Sequence, residues 1–269
     1  MFNFQLLQTG VRHVLESGRS VSFLWGGLRA LIVVTCLVGK ASIAQSSLDI
    51  CTADFAPYQS ESLPGGGPVV QLTIEAFHRA GYKARVQFMP WARVLHDGSR
   101  GRCAILGIWR SAERDQIFEY SLPLVRHELG FFGQRDLVHE DSGVSTLLNL
   151  RIGVERGSYL SPELNSPAVR LDFANSMEAN LLKLAKGRVD LVFGDRNAGL
   201  FVIASVPALL RNLEWKGSIL ESKNDYLALA KSVPNRDALL IAFNQGLRAM
   251  QMDGSFSRLL LTTGIDAAR

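Results

Sequence analysis

The sequence predicts an α/β chain of two lobes, each a parallel-type sheet flanked by helices, with two strands crossing between them. Three observations predict it. Short apolar or alternating runs and amphipathic stretches follow one another in the order β-α-β-α-β. A strand-like run then crosses out of that unit, and the alternation starts again. The chain has 269 residues, 47% hydrophobic and 20% charged, enough for two moderate cores and too apolar for a disordered chain.

Residues 1–44 read as an export leader. Arg19 and Arg29 precede the apolar run Ala30 to Val38, and Ser42-Ile43-Ala44 is a small-x-small cleavage site. Cleavage after Ala44 and a periplasmic location are the expectation; the alternative is an uncleaved anchor, if the apolar run is extended back to Phe23.

In the first half, Leu48–Thr52 is a strand and Val69–Ala80 an amphipathic helix on Val70, Ile74 and Phe77, stopped at Gly81. Ala84–Phe88 alternates as a strand, Pro90–Asp97 is a short helix, and Cys103–Ile108 is a continuously apolar strand. A parallel sheet puts its ligand crevice at the carboxyl ends of its strands, where Asp54–Tyr58 and Gly107–Arg114 fall. Arg114 lies on a polar turn just past a strand, suited to gripping a carboxylate with two parallel hydrogen bonds, or else a solvated surface arginine.

In the second half, Glu128–Gln134 is a crossing strand, and Leu150–Val154 and Val169–Phe173 are strands. Ser176 caps a helix bearing Leu181, Leu182 and Ala185, stopped by Gly187, and Val189–Phe193 is a buried strand ending in Gly194-Asp195. Tyr226–Ala230 is the return crossing, and Pro234–Met252 a helix closing on the first lobe. The expected boundaries are 45–130 and 227–269 for the first lobe and 131–226 for the second, with hinge bending near Gly133 and Ala228.

The net charge of +4 comes from scattered Lys and Arg with no run of five, so no nucleic-acid partner is expected. The five histidines are scattered and Pro64-Gly-Gly-Gly-Pro68 lacks a following Lys-Ser/Thr, so neither a metal site nor a phosphate loop is expected, and no cofactor. Beyond the leader two cysteines remain, Cys51 and Cys103, either disulfide-bonded or two small buried residues on neighbouring strands.

Five segments carry a resemblance: Asp54-Phe-Ala-Pro-Tyr58, Gly101-Arg-Cys-Ala-Ile105, Glu113-Arg114 ahead of Ser121 and Pro123, Gly153-Val-Glu-Arg-Gly157, and Gly187-Arg-Val-Asp-Leu-Val-Phe-Gly-Asp195. In order and spacing they resemble the extracytoplasmic solute-binding proteins of family 3, the polar amino-acid type that serves ABC transporters. The resemblance implies a two-lobed periplasmic-binding-protein-like clamp of type II, a monomer without catalytic activity that passes a small polar ligand to an ABC-type membrane permease. It implies that Arg114 grips the ligand α-carboxylate, Asp195 meets the α-amino group, Ser158 and Tyr159 add backbone donors, and Phe55 and Tyr58 form an aromatic wall. Asp195 alternatively only caps the next helix, and Phe55 and Tyr58 are alternatively core aromatics. Two positions depart from the family pattern: Trp109 and Gly107 stand where small hydroxyl residues are common. Trp91 begins a helix near the crevice, as a ligand contact or a packing residue. The competing function is a periplasmic enzyme or a sensor-associated binding protein on the same clamp, with Glu155 and Asp54 as nearby carboxylates.

Overall fold

The computed structural model describes residues 47–136, 147–261 and 265; the expected leader lies outside the described residues. The first lobe opens with β1 (Ser47–Thr52), α1 (Pro68–Arg79), β2 (Lys83–Phe88), α2 (Trp91–Ser99), β3 (Ala104–Trp109), α3 (Ala112–Ile117) and β4 (Phe118–Tyr120). Strand β5 (Arg126–Gln134) enters the second lobe, which holds β6 (Arg151–Glu155), β7 (Arg170–Ala174), α4 (Met177–Ala185), β8 (Leu191–Asp195), α5 (Arg196–Ser205) and α6 (Pro207–Leu210). Strand β9 (Leu213–Ala230) returns, and α7 (Arg236–Met252) and α8 (Ser255–Leu261) pack on the first lobe.

Local chemistry explains the helix ends. Pro68 starts α1, where a missing N–H costs nothing, and Ser176 caps α4 by accepting from Ala179 N at 3.1 Å. The buried face of α1 is Val69, Val70, Leu72, Thr73, Ala76 and Phe77, whereas Ile74, expected on that face, is 39% exposed.

The strands run β2-β1-β3-β9-β5-β8-β6-β7, with β4 paired to β9. Pairs β1/β2, β1/β3, β6/β7 and β6/β8 are parallel; the pairings of β5 and β9 are antiparallel. One order therefore occurs twice, β2-β1-β3-β9 and β7-β6-β8-β5, as two halves built on one plan.

Strand β9 is 18 residues long, much more than the expected Tyr226–Ala230. Residues Leu213–Asn224 pair with β5, and Asp225–Ala230 pair with β3 and β4. Glu214, Lys216, Glu221 and Lys223 interrupt the apolar signal of its first part. The chain passes between lobes where Leu124 N donates to Asp225 O (3.0 Å), Asp225 N to Val125 O (3.1 Å) and Val125 N to Asp225 Oδ1 (3.0 Å). That crossing lies away from the hinge positions expected from sequence: Gly133 is held opposite Glu214, and Ala228 opposite both Ile105 and Tyr120, inside the ladders.

Cys51 and Cys103 form a disulfide with Cα atoms 5.8 Å apart. Cys51 faces Ile105 across the parallel ladder, and Cys103 sits two residues upstream of it, just before β3, so the bridge runs diagonally from a strand to a strand entrance. The bond closes a separation of 52 residues. Replacing both cysteines by alanine is expected to lower stability by about 2–4 kcal/mol. Urea unfolding under oxidising conditions checks this, and an unchanged midpoint would contradict it.

Candidate functional site

A cavity of about 180 Å³ opens between the two halves. Ala53, Asp54, Phe55, Gln59, Trp91, Gly107, Trp109 and Arg114 line it from one side and Glu155 to Tyr159 from the other. These residues stand near or just beyond the carboxyl ends of β1, β2, β3 and β6, where an α/β sheet presents its loops.

Arg114 sits in α3, a short helix where sequence suggested a turn. Ser111 caps it, accepting from Arg114 N at 3.3 Å. The guanidinium donates through Nη1 to Trp109 O at 2.7 Å and lies 5.6 Å over the Trp91 ring, an arrangement that holds its planar fork in the cavity. Burial pulls its pKa below the ordinary arginine value, against smaller opposing effects of Tyr120 and Glu113. No ion pair joins it to a carboxylate among the described residues. A desolvated cation that stays charged and lacks a partner favours an incoming anion.

The aromatic residues form a wall across the opening. Phe55 meets Trp109 at 6.2 Å, and Trp109 meets Tyr159 of the other half at 6.0 Å, both edge to face. Tyr159 is anchored by its hydroxyl to Glu221 at 2.8 Å, with Lys223 Nζ 4.3 Å above its ring. Gly107, at φ 80°, leaves its side-chain space to the Gln59 amide; a Cβ there would lie 2.1 Å from Gln59 Nε2. The Ser158 N–H, one of the backbone donors the resemblance implies, bonds Glu155 O at 3.1 Å within its own turn, and the Ser158 hydroxyl bonds the same oxygen at 2.8 Å.

Sequence reasoning thus names six residues that the structure brings to the cavity: Arg114, Trp109, Ser158, Tyr159, Phe55 and Trp91. Tyr58 and Asp195 do not line it. Asp195 caps α5, accepting from Ala198 N at 2.7 Å. Tyr58 Oη donates to the same carboxylate, at 2.9 and 3.1 Å from its two oxygens, and His127 Nδ1 lies 3.1 Å from Oδ2. On the other side of the imidazole, Nε2 is 3.5 Å from Asp225 Oδ2. All four side chains are buried.

Burial alone would push the His127 pKa down, but the hydrogen bonds and charges of Asp195 and Asp225 outweigh it and hold the imidazole up at about 9. An imidazolium between two carboxylates is the resulting state at neutral pH. Burial, then the Asp195 charge, pushes the Tyr58 phenol up, so it stays a donor. The His127 ring packs behind the wall, 5.7 Å from Phe55 and 5.1 Å from Trp109. Sequence reading missed this histidine because a lone histidine in a strand carries no spacing signal. It also passed over Gln59.

No protein-family model matches the chain, and no curated protein matches it. Solved structures do. A histidine kinase sensor domain with similarity to periplasmic binding proteins is 18% identical, with a TM-score of 0.73 over 83% of this chain and 99% of that one. The GluR0 ligand-binding core from Nostoc punctiforme, in complex with L-glutamate, is 19% identical, with a TM-score of 0.68 over 80% of this chain and 98% of that one. An amino-acid ABC transporter substrate-binding protein from Streptococcus pneumoniae, bound to L-arginine, is 17% identical, with a TM-score of 0.68 over 82% of this chain and 95% of that one.

Proposed function

Taking as premise the two-lobed periplasmic-binding-protein-like fold these structures share with it, we propose that this chain is a non-enzymatic periplasmic solute-binding protein. It captures an amino acid or related small carboxylate in the cavity and delivers it to an ABC-type permease. The observation that carries the reading is Arg114, half-buried in α3 just beyond β3, lining the cavity and without an ion-pair partner among the described residues. Trp91 and Trp109 hold its plane, Phe55, Trp109 and Tyr159 face the ligand body, and Ser158 lies at the rim. The lobes, 45–130 with 227–269 and 131–226, close on the ligand. The apolar stretch before Ala44 directs export, and no helix among the described residues is long and apolar enough to cross a membrane.

A second reading, a ligand-sensing module, is favoured by the likeness to a kinase sensor domain and by the Tyr58–Asp195 contact, which ties the two halves together.

A thermal-shift screen of L-amino acids and small organic acids tests the proposal. A true ligand at a hundred times its Kd stabilises the fold by about 2.7 kcal/mol and raises Tm accordingly. If no carboxylate shifts the transition, or if the purified protein turns one over, the reading falls.

A further inference from the structure

The carboxylate that the family resemblance assigns to a ligand amine is already committed. Asp195 is 3% exposed and takes hydrogen bonds from Tyr58, His127 and Ala198, behind the aromatic wall. Two others line the cavity: Asp54, which is exposed and accepts from Glu61 N at 2.8 Å, and Glu155. Glu155, the last residue of β6, is half-buried on the side opposite Arg114. No Lys, Arg or His among the described residues forms an ion pair with it. Arg156 beside it is exposed and also lines the cavity, but its guanidinium lies 5.6 Å over the Phe173 ring and makes no ion pair with Glu155. Burial raises the Glu155 pKa, and a hydrogen bond from Met177 N–H only partly offsets this, so its charge is incompletely compensated. Gln59, 3% exposed, adds an amide at the same cavity whose Oε1 has no hydrogen-bond partner.

Resting on the carboxylate-binding reading above, we propose that Glu155 is the counter-charge for the ligand's cationic group, so that Arg114 and Glu155 grip the two ends of a small zwitterion across the cleft. Each is a half-buried charge with no oppositely charged side chain paired to it among the described residues, and a molecule carrying both opposite charges satisfies the two at once. A ligand with only a carboxylate would leave Glu155 unpaired and would add a further negative charge beside it and Asp54. The cavity, about 180 Å³, suits a compact molecule.

The experiment is calorimetric titration of the full chain with matched pairs that differ only in the amine: L-alanine against propionate, L-glutamate against glutarate, L-norleucine against hexanoate. At least one zwitterion should bind more tightly than its amine-free partner by about tenfold or more. Glu155→Gln should abolish that advantage by weakening the zwitterion while leaving the amine-free acid unchanged. Glu155→Asp, which keeps the charge at shorter reach, should retain part of it and serves if the glutamine variant folds poorly. An advantage that survives Glu155→Gln, or equal losses for both members of a pair, overturns the assignment. Equal binding of both members by the unaltered chain also overturns it while leaving Arg114 as the carboxylate site; no binding by either class removes the carboxylate reading itself.

Discussion

Asp195→Asn is expected to destabilise the fold by about 3–5 kcal/mol, the usual cost of breaking one side of a buried ion pair. The asparagine keeps the shape but loses the charge, and its amide N–H₂ group would face a donor, either the Tyr58 hydroxyl or the imidazolium. His127 would then be left with the single, longer contact to Asp225. The same network makes the unaltered chain sensitive to alkali. The folded pKa of His127, about 9, lies above its ordinary 6.5, so its contribution is fully present below about pH 6.5 and is lost as pH rises through 9. Urea unfolding at pH 6 and at pH 9.5 should therefore show the wild type weaker at the higher pH by a few kcal/mol, with most of that difference absent from Asp195→Asn. Equal midpoints for variant and wild type at pH 6 would mean that the network contributes nothing.

Arg114→Lys should weaken binding of the ligand found by screening by about 2–5 kcal/mol, roughly thirty-fold to several thousand-fold. Charge is conserved in this substitution, so the loss isolates geometry: an ammonium cannot present two parallel N–H groups to a carboxylate. Stability should hold within about 1 kcal/mol, because the side chain's one hydrogen bond to the fold runs from Nη1 to Trp109 O. Calorimetry reads the affinity and a melting curve reads the fold. Wild-type affinity in the lysine variant would remove Arg114 from the site.

The architecture was legible because its signals are local. Alternation in Ala84–Phe88, the unbroken apolar run before Trp109, the Ser176 cap and the glycine stops each depend on neighbours in sequence. Six of the eight proposed ligand residues line the cavity for a related reason: they lie at strand ends or on the segments that follow them, which topology brings together whatever the side chains. The misses depend on partners distant in sequence. Asp195 reads the same whether it faces a ligand or a phenol, and only the fold puts Tyr58, 137 residues away, within hydrogen-bond reach of it. Glu155 and Gln59 gain meaning from what fails to pair with them, which no spacing records. The diagonal placement of Cys51 and Cys103 is set by ladder register, invisible before the strands are aligned.

The interleaved connectivity also dictates an order of assembly. All the strands of the second sheet lie in one uninterrupted stretch from Arg126 to Asn224, so that body can close as soon as this stretch is available. The other body cannot. Its sheet is completed only by the tail of β9, which pairs with both β3 and β4, and α1 is covered by α7, where Gly246 approaches the backbone of Ala76 too closely for any side chain. Val69, Leu72 and Phe77 therefore wait for Leu239, Phe243 and Leu247, which follow the whole of the second body in sequence. A nascent chain must carry that uncovered helix face until α7 has been made, so the first body is finished after the second.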